Sequence, residues 1–153
     1  MRSRIDVKRR AVLALLPIAA ISIIAATAQQ PAQPRLARTT WDSVYSVAQA
    51  GRGESSYAKT CARCHGATLG GGDEASPLNG SAFLGNWNGQ TVGDLQKRIL
   101  ETMPTDTVGI YDRKLVTDVI AFLLKANNFP AGSAELSVEP DTLKAITISS
   151  EKK

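Results

Sequence analysis

Aromatic residues make up only 5% of the 153-residue chain, so its core is aliphatic or is filled by something other than protein. The chain has a single histidine and two cysteines, and no apolar run longer than 16 residues. Neither an internal repeat nor a convincing strand pattern is present. With 43% hydrophobic and 21% charged residues, the composition excludes collagen-like, mucin-like and largely disordered classes. An excess of basic charge is also missing where it would matter. The formal charge is +4, but five of the 18 basic groups lie within residues 1–28, leaving 13 basic against 13 acidic groups in the remainder. A neutral body lacks the basic footprint of a phosphate-binding surface, so nucleic acid is not an expected partner.

The basic groups that do cluster mark an address. Arg2 to Arg10 form a positive segment, Ala11 to Ala26 is the 16-residue apolar run, and Ala26-Thr27-Ala28 has the small-x-small pattern of a signal-peptidase site. Residues 1–28 are therefore expected to be a signal peptide, with an uncleaved membrane anchor as the alternative. Sixteen helical residues span roughly 24 Å, short of a hydrocarbon core of about 30 Å, and Pro17 weakens the helix further. Both readings export the chain and place it in the periplasm. Residues 29–40, QQPAQPRLARTT, read as a flexible linker. A domain is expected over residues 41–130, with residues 131–153 as a C-terminal extension.

Within that domain the spacing predicts a short helix over Gln49–Thr60. A second, over Thr91–Thr102, has Thr91 as N-cap, Asp94 three residues on, and Val92, Leu95 and Ile99 along one face. The strongest runs from Asp112 to Ala126, with a stripe of Leu115, Val119, Phe122 and Leu123. Ala67–Trp87 is rich in Gly, Ser, Asn and Pro and reads as one long loop, which a compact domain keeps only for a purpose. A short helix is expected near Asp141–Ile146. These stripes are too few to hold such loops unless the chain wraps a ligand.

The two cysteines and the histidine stand together as Cys61-Ala62-Arg63-Cys64-His65, the attachment pattern of a c-type haem. Two thiols separated by two residues can add across the two vinyl groups of haem, and the adjacent His65 then lies under the iron. Three alternatives compete. A Cys61–Cys64 disulfide leaves His65 unexplained. A thioredoxin-like pair needs a βαβ context that is missing. A zinc site would have three ligands and no second half. Bis-histidine ligation within the chain is impossible, and Met103 is the sole methionine after residue 28, 38 residues beyond His65. Met103 is the candidate sixth ligand, and Met/His ligation raises the reduction potential. The alternatives are Met103 as core filler and an iron left open or ligated by lysine.

Over roughly Gly51–Ala126 the chain resembles the class I, monohaem c-type cytochromes of the bacterial periplasmic type. Gly53 and Tyr57, eight and four residues before Cys61, match that family's glycine and aromatic, and Val119 and Phe122 match their partners on the last helix. Pro77, 12 residues after His65, matches the proline whose carbonyl accepts a hydrogen bond from the ligand histidine. The resemblance implies that Trp87 donates its indole N–H to a haem propionate, with plain core packing as the alternative. The segment Phe83-Leu84-Gly85-Asn86-Trp87-Asn88-Gly89, together with Met103-Pro104, looks like a subgroup found beside periplasmic dehydrogenases with quinone cofactors.

The expectation is an all-α cytochrome c fold: three or more short helices and long loops around one covalent haem c with its iron. The site residues would be Cys61, Cys64, His65, Met103, Pro77 and Trp87, the metal ligands His65 and Met103. The chain would then be a one-electron carrier rather than an enzyme, working between a donor such as a quinone-cofactor dehydrogenase and a terminal oxidase or other acceptor. The alternative is a cytochrome subunit of a periplasmic dehydrogenase or oxidase complex. A haem sensor would need a labile sixth site, and a two-haem peroxidase a second attachment motif. Contact with a membrane is expected only if the N-terminal segment stays uncleaved.

Overall fold

A computed structural model describes residues 38–73 and 75–152. The expected signal peptide, and the expected linker up to residue 37, lie outside the described residues. In chain order the elements are β1 (Arg38–Thr39), α1 (Val47–Thr60), α2 (Ala62–His65), α3 (Gly80–Trp87), α4 (Val92–Thr102), α5 (Arg113–Ala126), α6 (Pro140–Lys144) and β2 (Ile146–Thr147). The helical expectation holds, and the two strands are only two residues each.

Local chemistry starts the three principal helices. Ser46 caps α1 by accepting the Gln49 N–H at 3.1 Å. Thr91 and Asp94 form a reciprocal capping box on α4, each accepting the other's backbone N–H at 3.0 Å. Asp112 caps α5 by accepting the Leu115 N–H at 2.8 Å. Helix α5 is more deeply buried than one stripe would allow. Val116, Ile120 and Leu124 form a second covered face beside Val119 and Leu123.

The frame of the domain is the crossing of α1 over α5. Gly53 makes it possible: a Cβ there would lie 1.8 Å from the Asp118 carbonyl oxygen and 3.0 Å from Phe122 Cβ. The two backbones touch, which only a residue without a side chain permits. Beside the contact Tyr57 packs on Phe122 with ring centroids 5.3 Å apart. Arg52 reaches across to Asp118 at 3.0 Å, and Lys114 pairs with the same carboxylate at 2.7 Å. Burial alone would push the Asp118 carboxyl up, but the hydrogen bonds from Arg52 and Lys114 outweigh it and hold the group below the usual carboxylate range.

Two expectations are corrected. The stretch Ala67–Trp87 is not all loop, because its last eight residues form α3. Phe83 is fully buried there, and the Gly80 N–H is satisfied by Asn127 Oδ1 at 2.9 Å, so tertiary contacts override a turn-like composition. Nor is residues 131–153 an appendage to a domain ending at 130. Leu136, Leu143, Ile146 and Ile148 are all core residues. Buried Gln49 clamps the segment by donating to the Leu136 carbonyl at 3.1 Å and accepting its N–H at 2.7 Å. Gln96 on α4 donates to the Val138 carbonyl at 3.2 Å. Strand β2 pairs in parallel with β1, Arg38 opposite Ile146 and Thr39 opposite Thr147, so the folded body begins before residue 41. Trp41 closes this end, its indole N–H donating to the Ser149 carbonyl at 3.0 Å.

Candidate haem site

The attachment segment hangs from the end of α1. Cys61 caps that helix, its N–H bonded to the Tyr57 carbonyl at 2.9 Å, and its own carbonyl accepts from Cys64 at 3.2 Å and His65 at 3.0 Å. The single turn of α2 thus carries Cys64 and His65, and Gly66, at φ +76°, ends it. Tyr57 fixes this turn to the frame, donating its hydroxyl to the Gly66 carbonyl at 2.7 Å. Burial pushes the Tyr57 phenol up to about 12, with a further contribution from the nearby Cys61 thiol, so it stays a donor at any physiological pH.

His65 is oriented by its ring nitrogen. Nδ1 lies 2.8 Å from the Ser76 carbonyl oxygen. A carbonyl only accepts, so Nδ1 carries the proton and Nε2 keeps its lone pair for a metal. The expected partner was the carbonyl of Pro77; the residue that supplies it is Ser76, one position earlier. The proline still explains the geometry. A residue before proline is driven to extended backbone, which restricts where its carbonyl can point. The loop is held closed by Gly71 N–H to the His65 carbonyl at 2.9 Å and by Leu78 N–H to the Leu69 carbonyl at 2.8 Å. Asn127, at the end of α5, donates to the Leu78 carbonyl at 3.0 Å. No sequence motif marks Asn127 for this role.

Cys61 and Cys64 are both free thiols, so the disulfide reading falls. Cys61 is half-buried and Cys64 exposed. Burial pushes the Cys61 thiol up, partly offset by its hydrogen bond with Thr60. Among the described residues there is no group of three or more His, Cys, Asp or Glu side chains that could hold a metal ion.

Met103 caps the C-terminus of α4, its N–H bonded to the Ile99 carbonyl at 2.9 Å, and is half-buried. Trp87, the last residue of α3, is half-buried against the core, and its indole N–H has no protein acceptor among the described residues. Core packing describes its ring. The apolar side chains near these residues in the sequence are incompletely covered. Leu78, Leu84, Ile99, Leu100 and Tyr111 are only partly buried. Val108 and Ile110, just after Met103, are 53% and 60% exposed. The donor set and this apolar surplus both fit a flat, apolar, iron-bearing ring: two thiols for thioether bonds, an imidazole with a free Nε2, and a thioether.

A family model described as cytochrome c oxidase, cbb3-type, subunit III matches residues 48–123. No curated protein and no solved structure matches the chain. The matched span takes in α1, the attachment segment, the Ser76–Pro77 loop, α3, α4, Met103 and α5 as far as Leu123, while β1 and the clamped C-terminal segment fall outside it. Residues 48–123 are a c-type cytochrome domain, an electron-transfer unit of the cytochrome c fold that binds haem c covalently.

Proposed function

We propose that the chain is an exported one-electron carrier holding a single haem between His65 and Met103. When bound, that haem supplies the chemistry, a one-electron change at iron. The residues supply the rest. Cys61 and Cys64 would fix the ring by thioether bonds, and His65 would ligate through Nε2. Met103 would supply the sixth, sulfur ligand, and the Trp87 N–H a hydrogen bond to a propionate. The observation that carries the reading is the His65 Nδ1 bond to the Ser76 carbonyl, since it fixes the tautomer that ligation needs. With His65 and Met103 both as ligands, no position on the metal would be left for a substrate, which supports a carrier over an enzyme. The near neutrality of residues 29–153 and the exposed Val108 and Ile110 support docking to redox partner proteins through a mainly apolar rim beside Met103.

The family match favours a second reading, a cytochrome subunit of an oxidase complex. The two part in one experiment. Extracts of the native host, made with and without mild detergent, are sized while the haem c of this chain is followed. A soluble periplasmic species no larger than the 16.3 kDa chain with one haem supports the free carrier. Co-migration with a membrane oxidase refutes it in favour of the subunit. The oxidised pure protein must also show the weak near-infrared sulfur-to-iron band, and Met103→Ala must abolish it; a band that survives refutes the axial assignment.

A further inference from the structure

Arg63 stands between the two attachment cysteines, and its guanidinium pairs with the carboxylate of Asp106, three residues beyond Met103. The partners are 43 residues apart in sequence, so the pair joins the attachment segment to the stretch between α4 and α5. Both side chains face solvent, at 60% and 55% exposure. The carboxylate is itself aimed: Thr107 Oγ1 donates to Asp106 Oδ1 at 3.0 Å, and the Thr107 N–H returns to the Pro104 carbonyl at 3.2 Å. At the far end of the same loop Tyr111 directs its hydroxyl at the Thr60 carbonyl, a long contact of 3.5 Å. Residues 103–111 are thus tied to the attachment segment by one ion pair and to the last residue of α1 by one weak hydrogen bond.

We propose that the Arg63–Asp106 pair is a latch that holds the 103–111 loop closed over the attachment segment and so sets how readily Met103 leaves the iron. The proposal rests on Met103 being the sixth ligand. Arg63 and Asp106 are positioning residues; neither touches the iron. Because the pair faces solvent, its strength depends on salt, screening extending over about 8 Å at physiological ionic strength and about 3 Å at 1 M. The frequency with which the loop opens then becomes adjustable by ionic strength, or by a charged partner that competes for either side chain.

The test uses oxidised holoprotein and imidazole as the competing ligand. Displacement of the methionine is followed as decay of the near-infrared band. Arg63→Gln and Asp106→Asn should each speed displacement about twofold to fivefold, the scale of an exposed ion pair. The double variant should be no faster than either single one. Arg63→Lys, which keeps the charge, should stay near the wild-type rate. Raising salt from about 0.05 to 1 M should speed the wild type and leave Asp106→Asn unchanged. Wild-type rates in both single variants, or additive effects in the double, overturn the latch. Met103→Ala separates the two ideas. If it loses the band while the Arg63 and Asp106 variants exchange like wild type, the latch alone falls. If Met103→Ala keeps the band, the ligand assignment falls and the latch with it.

Discussion

Gly51 and Gly53 lie two residues apart on one helix, and replacing each by alanine should move stability in opposite directions. Alanine gains about 1 kcal/mol over glycine in a helix interior, whichever of the two is replaced. At Gly51 a Cβ meets nothing within 4 Å, so the gain is free of a steric cost. At Gly53 the same atom would sit 1.8 Å from the Asp118 carbonyl oxygen and 2.4 Å from its carbon, where contacts under 3.0 Å are essentially never seen. The obstacle is helix backbone, not a flexible side chain that can swing aside. Helix α5 must therefore retreat by more than an ångström along the main contact of the fold. Tyr57, Phe122 and the Arg52–Asp118 pair would lose their fit together. Overpacking of this kind costs about 1–3 kcal/mol even where neighbours can adjust, and here the top of that range applies.

The expected outcome is Gly51→Ala more stable than wild type by about 0.5–1 kcal/mol and Gly53→Ala less stable by about 2 kcal/mol or more. Denaturant titration of the holoproteins followed by far-ultraviolet circular dichroism measures both, with equal m-values confirming that only stability has changed. The propensity gain is common to the two variants, so their difference isolates the crossing. If they agree to within about 0.5 kcal/mol, backbone contact at Gly53 is not what sets the crossing, and the account of the frame is wrong.

Other outcomes follow from the same structure. Cys61→Ala and Cys64→Ala should each leave a single thioether and lower the yield of covalent haem, and the double variant should carry none, as read by pyridine haemochrome after acid–acetone extraction. Gln49→Ala removes both bonds to the Leu136 peptide and leaves a buried N–H and C=O without partners, so it should cost about 2–4 kcal/mol in denaturant titration; an effect near zero would mean the C-terminal segment is held by apolar packing alone. The folded Asp118 carboxyl titrates below its ordinary value of 3.8, so its contribution is complete above that value and is lost as pH falls through the lower, folded one. Asp118→Asn should therefore lower the melting temperature near neutral pH, by the equivalent of about 1 kcal/mol with partners half exposed, and its deficit should shrink as acid is added.

The parts of this fold that a linear reading reveals are those with local causes. Helices α1, α4 and α5 are visible because periodicity and an N-cap such as Thr91 or Asp112 act within a few residues. Cys61, Cys64 and His65 are visible because covalent attachment dictates their spacing. Helix α3 is hidden, since its first N–H is satisfied by Asn127, 47 residues away, and its Phe83 becomes apolar core only once α5 is in place. The C-terminal segment is hidden for the same reason, being held by Gln49 across 87 residues of sequence. Pro77 located the loop that orients His65, but the working atom is the backbone oxygen of Ser76, and a carbonyl has no residue signature. The Arg63–Asp106 pair likewise joins two ordinary surface charges whose proximity appears only in three dimensions.

What these ties have in common bears on electron transfer. Tyr57 to the Gly66 carbonyl, His65 Nδ1 to the Ser76 carbonyl, Asn127 to the Leu78 carbonyl and Gln49 to Leu136 all run from a side chain to a distant backbone group. Each anchors an irregular segment to α1 or α5, the two helices locked together at Gly53, or to the attachment turn at the end of α1. None uses His65 Nε2 or the Met103 sulfur, the two atoms proposed as iron ligands. A change of one unit in the charge of a metal held there would break no bond in the frame, and the segment bearing His65 would have little reason to move. A carrier that must accept and release an electron with little rearrangement needs that separation between the bonds that hold the fold and the bonds that feel the charge. The loop of residues 103–111 departs from it, being tied largely by surface charge, so any mobility of the site on changing its charge or its partner should begin there.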